Sequence, residues 1–211
     1  MMKDNPDSGG DNEAPSRRRK ARQPRENKPR EYKPREPRPI DAAQLQEMAI
    51  GYAARYATTA AKLRRYLQRK LRERVWTPAE PPDIDALVGR ITTLGYVDDR
   101  VYAASKQRDL TARGFGLGRV RGALAAAGVS RDDVSAVLTP EDGTPDNPYA
   151  PAIAFARRRR FGPFAREGTP SDPARRNREL SAMARAGHGF DVARRVLKAR
   201  DEAAAQALLE D

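Results

Sequence analysis

The side chains best placed to do chemistry in this sequence are cations. Lys62, Arg65, Arg69, Arg72 and Arg74 crowd one short stretch whose only nearby acid is Glu73. Arg65, Arg69 and Arg72 fall at i, i+4 and i+7, which puts them on one face of a helix. Like charges at that spacing repel and cost stability unless an anion relieves them, so the pattern favours phosphates or another polyanionic surface. A second run, Arg157-Arg158-Arg159-Arg160, covers a full helical turn and cannot point one way. At least one of its stems is expected along the core rim. The remaining guanidiniums suit either bidentate phosphate pairing or a plain solvated face, and both readings stand for this run.

Other constellations are excluded. The chain has no cysteine and one histidine, His188, which removes Cys/His zinc sites and triads that need a histidine base. His188 follows Gly187 in a turn and reads as a packed or exposed side chain. Paired carboxylates for a magnesium site are not found. The glycines of Gly114-Phe115-Gly116-Leu117-Gly118 lack both the preceding strand of a dinucleotide loop and the Gly-Lys-Ser/Thr of a P-loop, so they read as a helix–helix turn. Trp76, beside a loop, is open to stacking or packing. Tyr96 follows a helix-ending glycine and is expected to pack back on its helix. The sequence reads as a non-enzyme with no catalytic residues, cofactor or metal.

Composition agrees with a polyanionic partner. Lys and Arg total 41 against 29 acids, a net charge of +12. Residues 1–40 hold seven of 17 prolines and a net of +5, leaving +7 for the rest. Solubility alone is the competing explanation of this excess. With almost no aliphatic side chain, residues 1–40 cannot offset their ordering entropy and are expected to be a disordered tail, a linker or a weak electrostatic arm. No apolar run could span a membrane and the N-terminus has no signal-like segment, so a cytoplasmic location is expected.

Periodicity beyond the tail is helical throughout, with no strand signal among the first three helices. Asp41 is a plausible cap for a first helix carrying Leu45, Met48, Ala49, Tyr52 and Tyr56. Leu63, Tyr66, Leu67, Leu71 and Val75 form the stripe of a second, broken by the prolines of residues 77–82. Ile84, Leu87, Val88, Ile91 and Leu94 mark a third, ending at Gly95. Asp98 opens a helix to about Ala112, followed by one with Val120 and Leu124 that Gly128 stops. A short third starts after Ser130, whose pairing with Asp133 resembles a capping box. A further unit starts near Pro148 and closes with a helix bearing Val192, Val196 and Leu197 that runs on through Ala203–Leu209. Three helices recur every 40 to 50 residues, the mark of a repeat array.

Three segments in order, beginning at Leu94-Gly95-Tyr96, Ala112-Arg113-Gly114 and Arg159-Arg160-Phe161, resemble the RecX family of RecA-modulating proteins. Leu94-Gly95-Tyr96-Val97-Asp98-Asp99-Arg100-Val101-Tyr102-Ala103 is similar to its junction between the first two repeats. Ala112-Arg113-Gly114-Phe115-Gly116-Leu117-Gly118-Arg119-Val120-Arg121-Gly122-Ala123-Leu124, with Gly128-Val129-Ser130 after it, resembles the second repeat. Arg159-Arg160-Phe161-Gly162 and Gly187-His188-Gly189-Phe190 resemble steps of the third. The likeness covers roughly residues 45–200. Where the family usually ends its second helix with glycine, this chain reads Arg74-Val75-Trp76-Thr77-Pro78, so the first repeat departs from the pattern.

The resemblance implies tandem three-helix repeats that bind along a RecA recombinase filament on single-stranded DNA. It further implies inhibition of recombinase and ATPase activity, affecting DNA repair and the SOS response. The expected architecture is all-α, three three-helix units in an elongated, curved array behind a tail, with divisions at 1–40, 41–97, 98–139 and 140–211. Expected contacts are Lys62, Arg65, Arg69 and Arg72 in the first repeat, Arg113, Arg119 and Arg121 in the second, and Arg157 and Arg158 in the third. A monomer without membrane contact is expected, and direct contact with DNA stays open. Rival readings are a sequence-tolerant, nucleoid-type DNA-binding protein and a general helical adaptor.

Overall fold

The computed structural model describes residues 37–139, 147–170 and 172–210, and the expected tail through residue 36 lies outside them. Among the described residues the architecture is all-α, as the periodicity and the resemblance imply, apart from one pair of two-residue strands. In chain order these are β1 (Pro39–Ile40), α1 (Ala42–Arg55), α2 (Ala60–Arg72), β2 (Val75–Trp76) and α3 (Ile84–Thr93). There follow α4 (Asp99–Ala112), α5 (Leu117–Ala127), α6 (Arg131–Leu138), α7 (Tyr149–Arg159), α8 (Pro173–Arg185), α9 (Phe190–Lys198) and α10 (Glu202–Ala207). A single 3-10 turn, Gly162–Phe164, links α7 to α8.

Each trio of helices packs on itself. Helices α1 to α3 close over Leu45, Ala49, Leu63, Leu67, Leu87, Val88 and Ile91. Helices α4 to α6 share Ala103, Leu110, Val120, Leu124 and Ala127. Helices α7 to α9, with α10, enclose Ile153, Phe155, Ala156, Met183, Ala193 and Val196. Phe115 packs against both of the last two cores. A core of six to ten buried side chains per trio is small, which is why neighbouring trios must share surface.

Local chemistry sets the helix limits. Asp41 forms a full capping box with Gln44, each side chain bonding the other's backbone N–H. Asp83, Asp98, Asp172 and Asp201 each accept a backbone N–H in the first turn of α3, α4, α8 and α10. Ser130 caps α6 through the Asp133 N–H, but Asp133 does not reciprocate to the backbone as in a full box. Its carboxylate takes the Ser130 hydroxyl at 2.7 Å and Arg100 at 2.7 Å, tying α4 to α6. Those bonds, Arg100's first, hold the Asp133 carboxyl below its ordinary range.

Five helix ends close with one device. At Gly95, Gly114, Gly128, Arg160 and Gly187 the backbone turns left-handed, and the next residue's N–H reaches back to a carbonyl a turn inside the helix. Gly95 ends α3 this way, with Tyr96 N–H on the Ile91 carbonyl at 3.1 Å. Arg160 is the only non-glycine with positive φ among the described residues.

Several expectations fail in informative ways. Ile40, assigned to the tail, is fully buried, and Pro39–Ile40 pairs in parallel with Val75–Trp76. Val75 N–H bonds the Arg38 carbonyl and Thr77 N–H the Ile40 carbonyl, both at 3.1 Å. Val75 therefore leaves the α2 stripe for a strand, its side chain half exposed, and a strand appears where none was read. Tyr96 is also exposed, and the packing role expected of it falls to Val97, which is buried. Leu94 and Tyr56 lie outside the cores because their helices stop before them. The closing helix does not run through: it ends at Lys198, and Asp201 caps a separate α10.

Candidate functional site

The junctions between trios come first, because they position the cations. Thr59 is fully buried at the start of α2. Its hydroxyl accepts the Lys62 N–H at 3.1 Å and donates to the Ala127 carbonyl at the end of α5 at 2.6 Å. Asp99, in the first turn of α4, accepts the Ala60 N–H at 2.9 Å, so the second carboxylate of Asp98-Asp99 caps a helix of the preceding trio. Burial raises the Asp99 carboxyl above its ordinary range, and the Ala60 amide offsets this only in part. Gly128 lies so close to Ala61 that a Cβ there would stand 2.3 Å from the Ala61 methyl.

The next junction is backbone against backbone. Gly116 N–H bonds the Ala186 carbonyl and Gly118 N–H the Gly187 carbonyl, both at 3.0 Å. The expected reading of residues 114–118 as a helix–helix turn holds, with Gly114 ending α4 and Gly116 preceding α5. Its further purpose, letting two turns from different trios touch, was not read from the spacing. His188 sits beside it, 6% exposed, with its ring 5.6 Å from that of Phe155. Nε2 lies 3.2 Å from the Gly114 carbonyl, which can only accept, so Nε2 carries the proton. Burial holds the imidazole below its ordinary pKa of 6.5, the carbonyl contact opposing the shift. Packing, not ligation, describes His188.

The expected contact residues fall into three groups. Lys62, Arg65 and Arg69 line one groove between α1 and α2, of about 1190 Å³, together with Glu47, Arg55, Tyr52, Tyr56, Tyr66 and Lys70. Lys62 is held at the junction by the Tyr102 hydroxyl and ring. Among the described residues Arg65 reaches only the Ala126 carbonyl, at 3.4 Å, and Arg69 stands 3.7 Å from Glu73 while lying over the Tyr66 ring. Arg72, at the end of α2, is exposed and makes no ion pair or side-chain hydrogen bond among the described residues. Lys70 bonds Glu73 at 2.6 Å, which holds that carboxyl low, and Arg64 bonds Asp85 at 2.5 Å.

The second group, Arg119 and Arg121 of α5, is exposed. The third joins two trios: Arg158 Nη1 donates to the Arg113 carbonyl at 2.5 Å, and the two guanidiniums lie over Phe155 and Phe115. Arg157 stands 3.6 Å from Glu202 and over Phe164. The expected core-rim stems are thus Arg157, Arg158 and Arg159, all stacked on core phenylalanines, while Arg160 turns left-handed. The sequence did not single out the tyrosines of the first groove. Tyr52 and Tyr66 stack at 4.1 Å and 16°, and Tyr56 leans on Tyr52 at 5.1 Å. Tyr52 and Tyr56 were read only as part of the first helix's stripe and Tyr66 as part of the second's. Trp76 packs partly on the first core and donates Nε1–H to the Glu80 carbonyl at 2.7 Å, so its indole is spoken for.

Three-helix units docked through capped helix ends and glycine turns define a tandem helical-repeat protein. No family model matches the chain. Over 164 residues it is 30% identical to regulatory protein RecX of Myxococcus xanthus strain DK1622, spanning 75% of this chain and 86% of that one. It is 31% identical over 150 residues to regulatory protein RecX of Agrobacterium fabrum strain C58, spanning 69% and 77%. The solved structure of RecX from Lactobacillus salivarius matches with a TM-score of 0.56 at 14% identity, covering 79% of this chain and 95% of that one. A second RecX structure matches at 0.52 and 20% identity, covering 71% and 70%, and these two likenesses concern the fold. The chain belongs to the RecX family of regulatory proteins.

Among the described residues no group of three or more His, Asp and Glu could hold a metal ion. No described helix is long and apolar enough to cross a membrane.

Proposed function

We propose that the chain docks, as a monomer in the cytoplasm, on the RecA recombinase filament formed on single-stranded DNA. Docking inhibits the filament's ATP hydrolysis and strand exchange, and so restrains recombinational repair and the SOS response. The carrying observation is the cationic face of α2, where Arg65, Arg69 and Arg72 are exposed and, among the described residues, only Arg69 has an ion-pair partner, Glu73. Membership of a family of regulatory proteins supports the same reading. Arg119 and Arg121 on α5, and Arg113, Arg157 and Arg158 where the second and third trios meet, supply further modest contacts. Several weak contacts along one repetitive partner combine through effective concentration into useful affinity. The protein needs no chemistry of its own: it competes for surface that the filament uses.

The test is the ATPase rate of purified recombinase on single-stranded DNA with and without this protein. A dose-dependent fall supports the proposal, and an indifferent recombinase ends it. The rival reading, a sequence-tolerant DNA-binding protein, draws on the mixture of rings and cations in the α1–α2 groove. It predicts equal affinity for bare and recombinase-coated strands.

A further inference from the structure

The groove between α1 and α2 combines two features that the docking reading does not need together. Its walls carry Arg55, Lys62, Arg65, Arg69 and Lys70 against the single acid Glu47, and its floor holds a short tyrosine ladder. Tyr52 and Tyr66 form the closed, stacked part of that ladder. Tyr56 forms the open rung. It follows the last turn of α1 in extended backbone, tilts 47° from Tyr52, and is 57% exposed. A lone exposed tyrosine needs no explanation. This one stands in a groove whose charge is four in excess of its acids.

The cations there are not equally free. Lys62 is occupied by Tyr102, and Lys70 and Arg69 share Glu73. Arg55 makes no ion pair or side-chain hydrogen bond among the described residues, and Arg65 has only its 3.4 Å contact with the Ala126 carbonyl. Two guanidiniums thus stand ready on the groove that the open ring faces. A ligand matching this arrangement must offer a planar face and negative charges on either side of it. An acidic peptide would use the cations and leave the ring idle. A single strand of nucleic acid uses both, because each base has a π-face and each linkage a phosphate.

We infer that the α1–α2 groove binds single-stranded nucleic acid directly, with a base stacked on Tyr56 and neighbouring phosphates on Arg55 and Arg65. The inference deepens the filament reading by giving the DNA strand a site of its own, and it rests on that reading for its biological setting. Stacking on an aromatic face tolerates any base, so no sequence preference is expected. Phosphate pairing makes the affinity fall steeply with salt.

The experiment uses the full chain and a fluorescein-labelled oligothymidylate of about 12 nucleotides at ~50 mM salt, read by anisotropy. Tyr56→Ala weakens binding about tenfold and leaves the salt slope unchanged, while Tyr56→Phe stays within about twofold of the parent. Arg65→Ala weakens binding and lowers the salt slope by about one. Arg166→Ala, a cation elsewhere on the surface, changes neither. These side chains are exposed, so circular dichroism of every variant should match the parent. The inference is overturned if Tyr56→Ala binds like the parent, or if a poly-glutamate peptide displaces the oligonucleotide as well as unlabelled strand does. No recombinase is present, so loss of this site leaves the ATPase test of docking intact, and an unresponsive ATPase leaves this site standing.

Discussion

Replacing Gly187 by alanine should separate the second trio from the third. A Cβ at this position would stand 2.1 Å from the Arg119 amide nitrogen, 2.7 Å from the Arg119 Cβ and 2.8 Å from the Gly116 carbonyl oxygen. Two of those neighbours are backbone, so no rotamer change relieves the clash. The residue also sits at φ +91, where a side chain costs about 1–2 kcal/mol. Moving the turns apart breaks the Gly116–Ala186 and Gly118–Gly187 bonds, each worth about 0.5–1.5 kcal/mol net. Together these effects predict a loss on the order of 2–5 kcal/mol, a large share of a domain's stability. Urea unfolding read two ways checks it. Trp76 lies in the first trio and reports that trio by fluorescence, whereas circular dichroism reports all helices. In the parent the two transitions should nearly coincide. In Gly187→Ala the dichroism transition should move to lower urea and leave the Trp76 transition behind, because repeat arrays uncouple at a weakened interface. Gly122→Ala is the control, since nothing lies within 4 Å of a Cβ there and alanine in a helix should stabilise by about 0.5–1 kcal/mol. If Gly187→Ala stays within about 0.5 kcal/mol of the parent, the junction does not hold the repeats as argued.

Thr59→Ala removes both a helix cap and a buried bond to the Ala127 carbonyl, so a loss of about 2–3 kcal/mol is expected, with Thr59→Ser near the parent. Equal stabilities for the two variants would show that the hydroxyl contributes nothing. His188 titrates more readily in the unfolded chain than in its buried site, so stability present above its ordinary value of 6.5 is lost as pH falls through that value. The melting temperature of the parent should drop more between about pH 7 and 5 than that of His188→Gln, and parallel curves would refute the burial argument. Reversing the α2 face with Arg65→Glu, Arg69→Glu and Arg72→Glu together should weaken filament inhibition more than tenfold and reduce the salt slope by about two to three. Unaltered inhibition by the folded triple variant would move the docking surface elsewhere.

Much of the fold was legible because its punctuation is local. Asp41, Asp98 and Ser130 cap where their side chains predict, and Gly95, Gly128 and Gly187 turn left-handed where the apolar periods end. What escaped was set by distant partners. Ile40 lies in proline- and arginine-rich surroundings, and only its pairing with Val75–Trp76 reveals it as core. Tyr56 and Val75 keep helical spacing past Arg55 and Arg72, the last residues of α1 and α2, and periodicity alone has no stop signal. Arg160 adopts the glycine-like turn without being glycine, so nothing in its type marked it. Of the candidate contacts, the α2 cations were legible from spacing. The tyrosine ladder was not, because the same i, i+4 rule describes a core stripe and a groove.

The junction chemistry also clarifies what the resemblance segments do. Gly95 ends α3, Val97 enters the core, Asp98 caps α4 and Asp99 caps α2 across the junction. Gly114, Gly116 and Gly118 bring the second trio onto the third. These residues hold the repeats in register, and the exposed cations of α2, α5 and α7 stand on that frame.

Docking is tested most directly by one comparison of affinities. Labelled single-stranded DNA, bare or coated with recombinase, is titrated with the full chain at ~150 mM salt. Binding to the coated strand should be at least about tenfold tighter, since contacts along the protein lattice add to those with phosphate. Equal affinity for the two strands would contradict the account and leave a DNA-binding protein in its place.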